Sequence, residues 1–222
     1  MRKITTLLFV ILFAFTIQAQ NDVTTFLGIP VDGYKSEMRR KLIAKGFSPV
    51  RGQDFLEGEF NGTDVHVYIG TNNNKVYRIM LCDAKTQDEA GIKIRFNRLV
   101  SQFENNRRYV TPDEFTLSDD VDISYEMTVK NKSFDAIYYQ DIDTEKMDSA
   151  AFQRKIKDEL LSKYTKEQLE NPTDDIEAEA LKVEYSLIEK KPVWFRICRH
   201  LNEYYIAMFY DNEYNHANGE DL

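Results

Sequence analysis

The sequence predicts an α+β fold: a tandem repeat of helix plus antiparallel β-meander units packed as one compact body. Three observations carry this. Helical apolar spacing and two-residue alternation follow one another along the chain, turn-forming residues separate the alternating runs, and the chain resembles itself at a constant shift of 128 positions. With 222 residues, 42% of them hydrophobic, and with 13 Tyr and 14 Phe, there is material for a sizeable core.

Arg2 and Lys3 precede an apolar run from Ile4 to Ile17, and Ala19 follows, the pattern of a secretory signal peptide over residues 1–19. The run falls short of the roughly 20 residues that span a bilayer. Cleavage after Ala19 puts Gln20 first, with no cysteine there to carry lipid, and loss of Arg2 and Lys3 moves the formal charge from -8 to -10. The expected product is soluble, without a membrane span, and periplasmic or secreted. It divides into a first helix/β-meander unit with a trailing helix (20–112), a second unit with an extra hairpin and helices (113–212), and an acidic polar tail (213–222).

In the first unit Ser36 opens a helix through Lys45, with Met38, Leu42 and Ile43 on one face and Gly46 ending it in a left-handed turn. Strands 54–60 and 64–70 flank Asn61-Gly62, a strong hairpin signal, and a third strand runs over 76–83. Thr86 and Glu89 form a capping box for a helix to about Arg107, with Ile92, Phe96, Leu99 and Phe103 facing inward. Its Lys93, Arg95, Arg98, Arg107 and Arg108 make a solvated basic face.

Beyond the connector at Pro112, Val121, Ile123, Tyr125, Met127 and Val129 alternate with polar residues, which predicts a strand turning at Asn131-Lys132 into 133–141. Phe152, Ile156 and Leu160 mark a helix, Thr165 with Gln168 a helical turn, and Thr173 a last turn to Ala180 after Asn171-Pro172. Strands 181–188, 193–200 and 203–211 close the chain. At the 128-residue shift, Asn74–Asp83 lies over Asn202–Asp211 with identical Asn, Tyr, Met and Asp, and Val65 and Ile69 fall on Val193 and Ile197. Equal turn lengths favour duplication over chance likeness of aromatic strands.

Site chemistry is sparse. His66, His200 and His216 lack ligand spacing, and Asp141, Asp143 and Glu145 fail as a calcium loop because Lys146 and Phe152 replace the required Gly and Glu. Asp174, Asp175, Glu177 and Glu179 suit a helix start. The acceptor patterns Asn61-Gly62-Thr63 and Asn131-Lys132-Ser133 coincide with turns. No phosphate loop, nucleophile elbow or Cys-His pair appears, so no catalytic residue, metal or cofactor is expected. The acidic balance of 37 Asp and Glu against 29 Lys and Arg argues against nucleic acid. Cys82 and Cys198, in an exported chain, are a possible disulfide, with two separate buried thiols as the alternative.

Phe26-Leu-Gly-Ile-Pro-Val-Asp-Gly33, Leu42-Ile-Ala-Lys-Gly-Phe47, Ala217-Asn-Gly-Glu-Asp-Leu222 and the signal ending Ile17-Gln-Ala-Gln20 resemble a family of uncharacterised exported proteins of Bacteroides and relatives. That resemblance implies export and carries no activity. The element order is similar to the beta-lactamase-inhibitor-protein-like architecture, tandem units of helices on a small antiparallel sheet, and fold likeness licenses no function. The reading the sequence favours is a non-catalytic binding or inhibitory module for a protein, peptide or glycan of the cell envelope. An envelope hydrolase with an acidic pair and a structural envelope component are the alternatives. Trp194 sits opposite in parity to Val193, Phe195 and Ile197, and so shares a face with Arg196, Cys198 and His200. Trp194, Arg196, His200 and Tyr205 are the expected binding residues, with Tyr138, Tyr139, Tyr204 and Tyr214 as further aromatic surface.

Overall fold

A computed structural model describes residues 22–111, 113–140, 149–188 and 191–217. The expected signal peptide, Pro112, the Asp141–Glu145 run and the last residues of the tail lie outside them. In chain order the elements are β1 (Thr25–Phe26), β2 (Ile29–Pro30), α1 (Lys35–Ala44), β3 (Ser48–Pro49), β4 (Phe55–Phe60), β5 (Thr63–Asn72), β6 (Lys75–Asp83) and α2 (Glu89–Glu104). There follow β7 (Tyr109–Val110), α3 (Ile123–Thr128), β8 (Asp135–Gln140), α4 (Ser149–Leu161), α5 (Lys166–Glu170), α6 (Asp174–Ile188), β9 (Pro192–His200), β10 (Glu203–Asp211) and a 3-10 turn (Glu213–Asn215).

The class is α+β, and its centre is one eight-stranded antiparallel sheet in the order β3-β4-β5-β6-β10-β9-β8-β7. Helix α1 lies on β5 and β6, and α2 on β10, β9 and β7. Both bury their apolar stripes on the same sheet face. Met38 and Leu42 of α1, and Ile92, Phe96, Leu99 and Phe103 of α2, join Val65, Val67, Ile79, Phe195, Ile197 and Ile206 in one core. Ile43, expected beside Met38 and Leu42, is 42% exposed. Gly46 takes φ +104°, so the chain reverses and the Phe47 amide bonds to the Leu42 carbonyl at 3.2 Å. Asn61 and Gly62 both have positive φ, as a two-residue hairpin turn requires.

Caps differ from expectation. Tyr34 precedes α1 without a side-chain cap, in place of Ser36. The bridge between Tyr34 and Lys75, and the bond from the Val76 amide to the Gly33 carbonyl, anchor that end instead. Asp88 caps α2 by accepting from the Gly91 amide, and the helix stops at Glu104 rather than Arg107. Thr86 is drawn off to the Glu203 carboxylate. Glu89 accepts the Ile123 and Ser124 amides and so holds the start of α3. The basic face of α2 is not all solvated: Arg95 is buried against Asp83.

Two expected strands are helices. Residues 123–128 form α3, capped by Asp122 on the Tyr125 amide at 2.7 Å. Ile123 and Met127 meet the core at helical spacing, while Tyr125 and Val129 face out at 49% and 62% exposure. No hairpin therefore precedes β8, which instead pairs with β9 and, at its end, with β7. Residues 181–188 continue α6, whose Ile176, Ala180 and Val183 repeat at the helical period. Helices α4, α5 and α6 form an insertion between β8 and β9 with its own small core of Ile156, Leu160 and Val183. Thr165 and Gln168 do form the capping box of α5.

The β5–β6 and β9–β10 hairpins both turn through two residues, 73–74 and 201–202, and both centre on the middle of the sheet. A bulge at Tyr77 breaks the 128-residue correspondence, because Thr71 pairs with Val76 but Gly70 pairs with Arg78. Beyond it every side chain changes face. Asp83 turns into the core and Asp211 away from it. Met208 is a core residue, whereas Met80 is not.

Candidate functional site

Among the described residues no helix packs along the sheet face opposite α1 and α2; the 3-10 turn Glu213–Asn215 lies against β6, with His216 on the Tyr77 ring at 4.8 Å. Alternation puts Phe55, Tyr68, Met80, Phe209, Trp194 and Ile137 in one row across β4, β5, β6, β10, β9 and β8. The next row is Glu57, His66, Cys82, Ala207, Arg196 and Asp135. Aromatic packing continues along the surface: Phe55 touches His66 and Tyr68 at ring distances of 4.4 and 5.3 Å, and Trp194 stacks on Phe209 at 3.9 Å. A row of large apolar side chains at a surface, rimmed by polar ones, is the kind of patch that marks an interaction site.

At its β8–β9 end the face dips into a cleft of about 470 Å³ lined by Asp135, Ile137, Trp194, Arg196, Asp211 and Glu213, among others. The charges there are mostly paired. Arg78 gives Nε and Nη2 to the two oxygens of Asp211 at 2.6 and 2.7 Å, and the Trp194 indole nitrogen donates to Asp211 Oδ2 at 2.8 Å. The bond from Asp211 raises the pKa of Arg78 further. Arg196 gives Nε to Asp135 at 2.7 Å. The guanidinium carbons of Arg196 and Arg78 lie 5.0 and 5.5 Å from the centre of the Trp194 ring, so the indole is gripped by both cations and by Phe209.

Of the residues expected from sequence, Trp194 and Arg196 thus share the cleft. Tyr205 is on the same face but opposite Cys198. His200 is exposed at the hairpin end of β9, paired with Glu203 and outside the cleft lining. Tyr138 and Tyr204 are core residues. Cys82 and Cys198 are free thiols on the open face. Strand β10 separates them, which sets the chains about 9–10 Å apart, beyond the ~7 Å limit for a disulfide. Of the two readings, separate thiols is the one the fold permits. Burial pushes the Cys82 thiol up to about 11 and raises Cys198 and Tyr205 as well.

Sequence reasoning missed Arg78, Asp211, Ile137, Phe209 and Asp135, whose meeting depends on the β6–β10 and β8–β9 pairings. It also missed the short run Asp211, Glu213 and His216, whose donor atoms lie within 4.8 Å of one another. These three could reach one cation, but Arg78 and Trp194 already fill the Asp211 carboxylate, so a metal there would meet a guanidinium across its own ligand. A second recess, about 620 Å³, opens among α4, α5 and α6 around Ile156, Leu160 and Leu169.

Among the described residues no helix is long and apolar enough to cross a membrane. No protein-family model, curated protein or solved structure matches the chain.

Proposed function

We propose that this chain is an exported, non-catalytic binding module that holds a polypeptide of the cell envelope on the uncovered face of its sheet. One observation carries the reading: a contiguous row from Phe55 to Ile137 is apolar, has no helix packed along it among the described residues, and ends in a cleft containing Trp and Arg, residue types enriched where binding energy concentrates. A polypeptide suits it better than a glycan. Sugar stacking needs a free ring face, and the Trp194 ring is held by Phe209, Arg78 and Arg196. Hydrolysis has weak support, since Asp135 and Asp211 each serve a guanidinium.

Export rests on the leader-like residues 1–19 and on the likeness to exported Bacteroides proteins. Duplication draws support from the sheet order, which runs inward as helix, short edge strand and meander from both sides: α1-β3-β4-β5-β6 and α2-β7-β8-β9-β10. The test is retention of an envelope polypeptide by the tagged protein. Trp194→Ala and Tyr68→Ala should each weaken retention about tenfold while leaving the circular dichroism unchanged. Retention that ignores both substitutions, or turnover of peptide, ester or glycoside substrates, would sink the reading.

A further inference from the structure

The two edges of the sheet are guarded differently. On the outer side of β4, β3 pairs with Leu56 and Glu57, and the next residue whose main chain points outward, Glu59, is exposed and charged. Charged side chains of this kind keep foreign strands off an edge. On the outer side of β8, β7 pairs only with Tyr139 and Gln140. Bonds from the Ile197 amide to the Phe134 carbonyl, and from the Gln140 amide to the Lys191 carbonyl, show that even-numbered residues of β8 serve β9. By the antiparallel alternation, Asp135 and Ile137 direct their amides and carbonyls outward, and no described strand pairs with them there. Among the described residues no such guard stands here: Asp135 is engaged by Arg196, and Ile137 is apolar and 39% exposed. Ile137 also lines the cleft beside Trp194.

We propose that the β8 edge accepts an extended peptide as an added antiparallel strand, with apolar side chains at every second position resting beside Ile137 in the cleft. Main-chain bonds to Asp135 and Ile137 give the attachment, and the alternating pocket gives the preference. The formal charge of -8 favours a basic peptide over an acidic one. This rests on the reading of the chain as a polypeptide-binding module and specifies how the polypeptide is held.

The probe is a fluorescein-labelled Lys-Val-Lys-Val-Lys-Val-Lys peptide, read by anisotropy against the whole protein. In antiparallel pairing, ligand residues opposite Asp135 and Ile137 point to the same face as they do, so the valine amides donate to β8. Methylating the valine nitrogens should weaken binding at least tenfold, and methylating the lysine nitrogens should leave it within about twofold. Ile137→Pro removes one outward amide without touching the bonds to β9, as edge positions tolerate, and Ile137→Lys restores the missing guard. Each should weaken the parent peptide at least tenfold with an unchanged dichroism spectrum. No binding of the parent, or undiminished binding of the valine-methylated form, overturns the proposal. If Tyr68→Ala abolishes retention of the envelope polypeptide and Ile137→Lys does not, strand addition is wrong and the sheet-face reading stands.

Discussion

Arg95 sits in the apolar layer between α2 and the sheet at 3% exposure, giving Nη2 to Asp83 Oδ1 at 3.1 Å, while Nη1 has no hydrogen-bond partner among the described residues. Asp83 Oδ2 also accepts the Ile206 amide at 3.2 Å. Such a pair is held by mutual need rather than by net gain, because both ions have left water. Asp83→Ala should therefore destabilise the protein by about 3–5 kcal/mol, since it strands a buried guanidinium. Replacing both partners, Asp83→Leu with Arg95→Met, should recover most of that loss. Urea unfolding of the two variants is the check, and a double variant no more stable than Asp83→Ala alone would contradict it. In the sequence Arg95 is one of several cations on α2 and looks solvated like its neighbours. Helical spacing, three residues after Ile92 and four before Leu99, does put Arg95 on the buried stripe, but its charge argued for solvent, and its partner is a strand-end carboxylate on β6 that only the docking of α2 brings near. The cleft is similar. Trp194 and Arg196 share a strand and a parity, and were legible; Asp211 and Arg78 belong to strands brought together by the sheet order, and were not.

Local signals decided some elements and misled in others. Asn61-Gly62, Gly46 and the helical turn at Thr165 act through backbone geometry within a few residues, and the structure keeps each. The run from Val121 to Val129 shows how alternation deceives: Ile123 and Met127, four residues apart, share a face after two strand periods and equally as i and i+4 of a helix. The helix prevails because Asp122 and Glu89 together satisfy the amides of Ile123, Ser124 and Tyr125. Asp122→Ala should cost about 1 kcal/mol, as loss of a capping side chain does. The check is the urea midpoint at constant slope; a shift much below that figure would mean that Glu89 alone holds α3. In 181–188 the strand reading failed because the window began at Leu181, whereas the helical period starts earlier, at Ile176. The 128-residue likeness carries over in turn lengths but not in faces. Hairpin lengths agree, but the extra residue at Tyr77 inverts the faces, so matching letters at Met80 and Asp83 occupy environments opposite to those of Met208 and Asp211.

The α+β class follows from the summed pattern of the chain, but the joining of both meanders into one central sheet and the partition into two cores do not. Met38, Phe96, Val67 and Phe195 share one core on the sheet, while Ile156, Leu160 and Val183 form another within α4–α6. Periodicity alone reads both as amphipathic helices facing something, without saying what. The insertion leaves and rejoins the sheet at one point, since the Gln140 amide bonds to the Lys191 carbonyl at 3.1 Å. Two residues can close that gap, because Asn-Gly between hydrogen-bonded ends makes a hairpin turn of matching twist. Replacing residues 141–190 by Asn-Gly should therefore join β8 to β9 directly and leave the main core whole. The shortened chain is expected to unfold cooperatively with Trp194 emission like that of the parent. Its urea slope should fall, because a smaller surface is exposed on unfolding, and its helical dichroism should drop with α4–α6 gone. Amide exchange in the full chain should show the same division, with α4–α6 opening at lower free energy than β5, β6, β9 and β10, whose contacts are denser. A shortened chain that fails to fold would show that the insertion supports the sheet rather than hanging from it.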